Sequence, residues 1–279
     1  MLRPTGIAFI LFLISCATAL AQQSGPPSTC LAIAKQLAPL GEARVMFAST
    51  GSSALSSEEV AISYQGHSTY LIESASGVTI ATDYAGFLTT DLVPRVVTMN
   101  RAHSSHYTDF PNPQIRHVFR GWGTDGKPAS HHKMVDDVLI RNVTTDLLRF
   151  SHVPNGNSIF IFEVAGLCIG HLGHLHHALS DDHIAEIGRL DVVMVPVDGG
   201  LTLSHAGVRD LLDRLRSSVI LPMHVRFAGA LPRFLAHLGD GFLVEDVKQS
   251  RLILSLRTLP RQPTVKLLPG VKFIPYYDE

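Results

Sequence analysis

The stretch Leu167-Cys168-Ile169-Gly170-His171-Leu172-Gly173-His174-Leu175-His176-His177 decides how the chain is read. An apolar run with the composition of a strand stops at Gly170, and four histidines follow within seven residues, interrupted by Gly173. Imidazole is the commonest metal-binding side chain and the one whose charge ordinarily changes near neutral pH. A strand that halts at a glycine and then presents imidazoles has the pattern of a site's rim. A solvated polar turn accounts for any one of the four taken singly; the group is harder to account for that way.

The same punctuation recurs on either side. Residues 96–99 form a short apolar run that leads directly into Asn100-Arg101-Ala102-His103-Ser104-Ser105-His106, and residues 219–222 lead into Met223-His224. His152, in Phe150-Ser151-His152-Val153-Pro154, stands just ahead of the run at 158–164. Polar residues at the ends of buried strands are where a sheet meets a ligand. Gathered on one edge, these imidazoles would fill a tetrahedral zinc shell with one position left for water. Zinc lowers the pKa of such a water to about 7.

Between these points the chain first reads as strands at 43–48, 60–64 and 69–73, with Ser74-Ala75-Ser76-Gly77 turning it into 78–82 as a hairpin. Ser28 or Thr29 can cap a short helix that Pro39 and Gly41 end. The segments 111–113 and 121–132, with the lone Trp122, are loop-like, either a lid or a connection. Strands at 138–145 and 158–164 follow, the latter joined by Ala165-Gly166 to the histidine-rich strand. Helix and strand then alternate: a helix capped by Ser180, an apolar strand at 191–197, an amphipathic helix from Ser204 to Leu215, the strand at 219–222 and a helix at 231–238. Strands at 242–247 and 252–256 close the chain. Strands first without helices and then with them imply two sheets face to face with helices outside.

Composition narrows the function. The 279 residues carry a formal net charge of −1 with no block of Lys and Arg, which weighs against a nucleic-acid binder working by phosphate neutralisation. Residues 1–21 read as a signal peptide: Arg3, an apolar run at 7–14, and Ala19-Leu20-Ala21 as a small-x-small cleavage site, too short for a membrane span. The expected product is exported, periplasmic or secreted. Leu13-Ile14-Ser15-Cys16 resembles a lipoprotein box, the alternative in which Cys16 carries a membrane anchor. Removal of the signal leaves Cys30 and Cys168, either bridged or a pair of free thiols. A lead helix and first strand at 22–59 and one domain at 60–279 complete the expected organisation.

Gly66-His67-Ser68-Thr69, Asp83, Asn100 to His106, His152, Gly170 to His174 and His224 fall in the order and approximate spacing of the metallo-β-lactamase superfamily. The chain resembles most its ascorbate-6-phosphate lactonase-like branch, which includes phospholipase-type phosphodiesterases; the resemblance covers about 60–235. It implies an α/β fold, an αββα sandwich of two facing mixed β-sheets with helices outside, and zinc at one sheet edge. The family's His-x-His-x-Asp-His signature reads Arg101-Ala102-His103-Ser104-Ser105-His106 here, so Arg101 replaces the first histidine and Ser105 the aspartate. The family's later histidines match His152 and His224, and its metal-bridging aspartate falls on His174.

Two dications held by neutral imidazoles beside a fixed Arg101 charge would repel in a low-dielectric pocket, so one zinc per chain is expected. His106, His174 and His224 are its expected ligands, with His103 and His152 auxiliary. The resemblance makes Asp83 a carboxylate that orients a ligand histidine. His67 faces the site in related proteins, and satisfaction by backbone is equally open. Asp198 either supplies the missing carboxylate or forms an ordinary turn before Gly199 and Gly200. Arg101 pairs with a phosphate or carboxylate of a substrate, or makes a surface ion pair. His176 and His177 are left undecided, and His117, His131, His132, His183, His205 and His237 are background. The expected function is an exported hydrolase using zinc-bound hydroxide on an ester, lactone or phosphodiester of a small, anionic or ester-type substrate. The alternatives are a catalytically degenerate member of the fold that binds metal or an anionic ligand without hydrolysis, and a metal-storage or delivery protein using residues 171–177.

Overall fold

The computed structural model describes residues 26–31, 55–148 and 151–272. The expected signal peptide, Cys16, the lead helix and the strand at 43–48 lie outside the described residues. In chain order the strands are β1 (Val60–Gly66), β2 (Thr69–Ser74), β3 (Thr79–Ala81), β4 (Val96–Met99), β5 (His117–Arg120), β6 (His132–Val135), β7 (Val138–Leu147), β8 (Val153–Val164), β9 (Leu167–His171), β10 (Val192–Pro196), β11 (Val219–Met223), β12 (Leu243–Asp246), β13 (Leu252–Leu254) and β14 (Thr264–Leu267). The helices are α1 (Asp181–Ile187), α2 (His205–Leu215) and α3 (Ala230–Leu238).

Two sheets result. One has six strands in the order β13-β1-β2-β3-β4-β5, the other eight in the order β12-β14-β11-β10-β9-β8-β7-β6. Both are mixed: β3, β4 and β5 run parallel, as do β9, β10, β11, β14 and β12, while β1–β2 and β6 through β9 pair antiparallel. β9, β10 and β11 are buried at every position, as expected of parallel strands covered on both faces. α1 starts at a capping box between Ser180 and His183, and Ser204 caps α2 by accepting from the Gly207 N–H. The fold is the αββα sandwich.

The core lies between the sheets, where Ile62, Tyr70, Ile72 and Ile80 of one meet Ile140, Phe160, Phe162, Ile169 and Val193 of the other, all fully buried. Tyr70 Oη crosses the layer and donates to the Pro222 carbonyl at 2.7 Å, so its polar end is satisfied inside the core.

Three strands were not expected. β5, β6 and β14 are four residues each; β5 and β6 are edge strands with polar ends that form by pairing to β4 and β7, and β6 begins at the end of the segment 121–132 that reads as loop. Trp122 packs edge-on against Tyr107, 5.5 Å between ring centroids, beside a satellite cluster of Ala81, Tyr84, Val97, Met99 and Ile115. Among the described residues no helix is long and apolar enough to cross a membrane.

Cys30 and Cys168 form a disulfide across 138 residues of sequence, which ties the segment 26–31 to β9. Beside it Glu163 accepts from Ser28 Oγ, from the Thr29 N–H and from Arg141 Nε, while the Arg141 fork also donates to the Glu186 and Ile187 carbonyls. A buried arginine with every arm used is a rigid fixture. Replacing both cysteines by serine is expected to lower unfolding free energy by about 3–5 kcal/mol, since a bridge closing so long a loop strongly restricts the unfolded chain; urea denaturation of the oxidised protein against the double variant measures it.

Candidate metal centre

The site is assembled from chain segments that leave the two sheets along one edge. From the first sheet come His67 at the β1–β2 tip, Asp83 just past β3, and Arg101 to His106 past β4. From the second come His171 and His174 at and beyond the end of β9, Asp198 past β10 and His224 directly after β11. Parallel strands put all their carboxyl ends on one side, which is why so many polar termini collect there.

Each sheet contributes one carboxylate-braced histidine. His106 Nδ1–H donates to Asp83 Oδ2 at 2.5 Å and His224 Nδ1–H to Asp198 Oδ2 at 2.8 Å, both pairs buried. An acceptor-only carboxylate fixes the tautomer and turns Nε2 toward the cavity. Asp83 also accepts from the Asn100 N–H, and Asp198 from Thr202 Oγ1 and from the N–H groups of Gly200, Leu201 and Thr202. Burial alone would raise both carboxyls, but His106 holds Asp83 below the usual range, and hydrogen bonds from His224 and Thr202 hold Asp198 well below it. Both remain ionised.

His67 completes the group. Its carbonyl accepts from the His224 N–H at 2.7 Å, so the two sheets are stitched together at the site. Among the described residues, His67, His106 and His224 each offer one ring nitrogen, and these lie within 4.8 Å of one another. His174 stands against this group, with ring centroids 4.9 Å from both His106 and His224.

The donor set fits a cation. Both ring nitrogens of His67, and Nδ1 of His174, are buried without a hydrogen-bond partner among the described residues, a costly arrangement unless another acceptor of lone pairs is supplied. Desolvation, reinforced by His224 and His106, pushes His67 down to about 4, and desolvation with His106 and Arg101 lowers His174 strongly. These two imidazoles are therefore neutral at pH 7, the form that ligates metal.

Beneath the cluster, His171 is fully buried and connects its parts. Its Nε2–H donates to the Ser68 carbonyl at 2.8 Å, next to His67, while Nδ1 accepts from the Gly173 N–H and Asn100 Nδ2 at 3.1 and 3.2 Å. Asn157 Oδ1 accepts from the His174 N–H at 2.8 Å. Gly173 adopts φ 60°, and a Cβ there would lie 2.4 Å from Asn157 Oδ1. Only glycine carries the chain from His171 to His174 through this network.

The structure brings His106, His174 and His224 together and adds His67, for which the sequence left backbone satisfaction open. Asp83 accepts from His106 Nδ1–H, and Asp198 accepts from His224 Nδ1–H while also forming the turn. His103 is exposed at the rim, its Nδ1 2.8 Å from Ser105 Oγ and its ring 6.0 Å from that of His106. His152 is not brought in: its side chain is 60% exposed and pairs with Asp146 at 2.7 Å, because the β7–β8 hairpin sets those two residues side by side. Arg101 is half-buried on the cavity wall. His176 lines the cavity, whereas His177 points away and donates to the Ala178 carbonyl. His205, expected in solvent, is buried and donates to the Val197 carbonyl. Neither 111–113 nor 121–132 contributes a residue to the lining of this cavity, and Trp122 packs on Tyr107 instead.

Residues 61–224 match the family model described as a beta-lactamase superfamily domain, a span that starts in β1 and ends on His224. A protein from Thermotoga maritima assigned to the Zn-dependent hydrolases of the metallo-beta-lactamase superfamily superposes with a TM-score of 0.55 at 26% identity, covering 75% of this chain and 98% of that one. The metallo-beta-lactamase fold protein YhfI from Bacillus subtilis gives 0.50 at 8% identity over 77% and 98%. CmlA, a diiron beta-hydroxylase from Streptomyces venezuelae, gives 0.51 at 12% identity over 72% and 55%, a likeness of fold. Comparison with curated proteins yields no match.

Two outcomes are expected. His171→Ala strands the Ser68 carbonyl, the Gly173 N–H and the Asn100 amide, and should lower unfolding free energy by about 2–4 kcal/mol in urea titrations. His67 lies below its unfolded value of about 6.5, so the unfolded chain binds the extra proton. Its contribution to the metal-free protein is present above that pH and is lost as pH falls toward 4; His67→Gln should flatten this part of the stability profile.

Proposed function

The chain belongs to the beta-lactamase superfamily, and from that premise we propose that it is an exported zinc-dependent hydrolase acting on an ester, lactone or phosphodiester bond. The observation that carries this reading is the convergence of His67, His106 and His224, from both sheets, with two of the three braced by buried carboxylates. Three histidine nitrogens make the ligand set of catalytic zinc sites, whereas closed structural sites use four protein ligands. When bound, zinc supplies Lewis acidity at the scissile bond and a water acidified to near pH 7.

The protein's own groups do the rest. Asp83 and Asp198 hold the imidazoles of His106 and His224 in orientation and balance charge from behind. His174 forms the adjoining wall, kept neutral, with its Nδ1 buried and without a hydrogen-bond partner among the described residues. Among the described residues no carboxylate lines the cavity, so the side chains there that take up a proton are imidazoles, of which His103 is the exposed one. Ser105, at the position of the family's aspartate, orients that ring through its hydroxyl. Export is supported by the Cys30–Cys168 disulfide, which suits an oxidising compartment.

The absence of a lining carboxylate also favours a second reading, a member of the fold that binds metal without turnover. Metal analysis of the purified protein, with a panel of chromogenic esters, lactones and phosphodiesters, separates the two. Bound zinc close to one per chain is expected, and His106→Ala and His224→Ala should each remove it and lower turnover by at least about a hundredfold. Zinc without any turnover selects the second reading; a protein that binds no metal contradicts both.

A further inference from the structure

β5 ends the order of one sheet and β6 that of the other, and among the described residues no strand pairs with the outer edge of either. Between them lies a groove of about 440 Å³ lined by residues 116–119 and 130–133, none of which lines the cavity at the histidine cluster. Register places the side chains that face into it. His117 pairs with Val96, which packs in the core between the sheets, so His117 and Phe119 lie on the inner face of β5. Lys133 is opposite Ile140, also in that core, and so lies on the inner face of β6. His131 joins the two sides: its ring meets Phe119 edge-on at 5.2 Å and stacks on Phe160 at 5.9 Å, while its Nε2–H donates to the Arg120 carbonyl at 2.7 Å. The floor is aromatic and held by both sheets.

The rim is cationic. Arg116 and Lys133 are exposed, and neither side chain has an ion-pair or hydrogen-bond partner among the described residues. Together with Arg95 they stand close enough to His117 that all three oppose its protonation. Among the described residues no Asp or Glu lines the groove. Asp136 and Asp137, in the turn after β6, are taken up by Arg95 and by Ser74 and Ser76. Lysine on an edge strand ordinarily keeps other strands away. Here the same charges select: a second copy of this edge would set cation against cation, whereas an acidic strand meets opposite charge, an unpaired edge and an aromatic floor together.

We propose that this groove receives an extended acidic segment of a partner protein, which adds a strand to the outer edge of β6, rests an apolar side chain on Phe119 and His131, and sets its carboxylates against Arg116 and Lys133. β6 is the edge assigned because the last carbonyl of β5, that of Arg120, is already taken by His131. Backbone pairing supplies affinity in such strand addition, and the alternate side chains supply specificity. The groove shares no residue with the metal centre, so this surface stands whether or not the hydrolase reading does.

The test is fluorescence anisotropy of a labelled heptapeptide of alternating valine and glutamate, titrated at low salt with the disulfide-bonded protein. The peptide should bind, more weakly as salt rises, and Arg116→Glu and Lys133→Glu should each weaken it about fivefold or more. Bound peptide should slow amide hydrogen exchange in residues 132–135. Because neither side chain has a partner within the protein, both variants should melt at the wild-type temperature, which separates lost contacts from misfolding. No binding, or equal binding of the same peptide with lysine in place of glutamate, would overturn the proposal and leave the cations as edge protection. Undiminished binding of a peptide N-methylated along one edge would show charge attraction without strand pairing and overturn it as well. Oligothymidylate or phosphatidylglycerol vesicles held more tightly than the peptide, and released by the same variants, would assign the groove to nucleic acid or to membrane instead.

Discussion

The hydrogen bonds from His106 to Asp83 and from His224 to Asp198 are the constraint on which the rest of this structure depends. Each lies in a different sheet, and each converts a flexible ring into a directed nitrogen. Buried carboxylates are tolerated only where charge and hydrogen bonds compensate their lost hydration, and here the compensation comes from the same imidazoles they orient. Removing either aspartate would free a ring in the cluster and leave its sheet end without an organising acceptor. The fold brings the two sheets within reach of each other, and the His224 N–H to His67 carbonyl bond closes the remaining gap.

That arrangement costs backbone strain. His67, Asp83 and His224 sit at φ 50°, 49° and 59°, the left-handed region that side chains with a Cβ rarely occupy. Three such residues in one site amount to a few kcal/mol in total, on the order of one each. The strain persists because the surroundings overdetermine it. His171 ties Ser68 to Gly173, Asn100 ties the end of β4 to β8 and His171, and Asn157 holds the His174 backbone. These bonds hold the backbone at several points around a centre whose nitrogens must stay close without collapsing onto each other.

Much of this was legible in the sequence, and the exceptions have physical causes. The apolar runs of β9, β10 and β11 and the caps at Ser180 and Ser204 are local signals, and the structure follows them. β5 and β6 owe their strand character to pairing along the outer edges of β4 and β7, and β14 to being held between β11 and β12. Asp83, His106, His174 and His224 could be read from motif order, because strand ends on a shared edge are predictable once the sheets are. His67 could not be assigned, since whether its ring meets backbone or other imidazoles depends on how one sheet packs on the other. His152 looked like a strand-end ligand, but its partner Asp146 lies across a hairpin whose register the sequence does not disclose.

The central claim is that imidazoles from both sheets share one cation. Anomalous diffraction at the zinc edge, from crystals of the protein grown with zinc, locates the ion without reference to activity. A single strong peak within bonding distance of nitrogens of His67, His106 and His224 is the predicted result. A peak at residues 176–177 or at His152, with the three-histidine cluster empty, would contradict it.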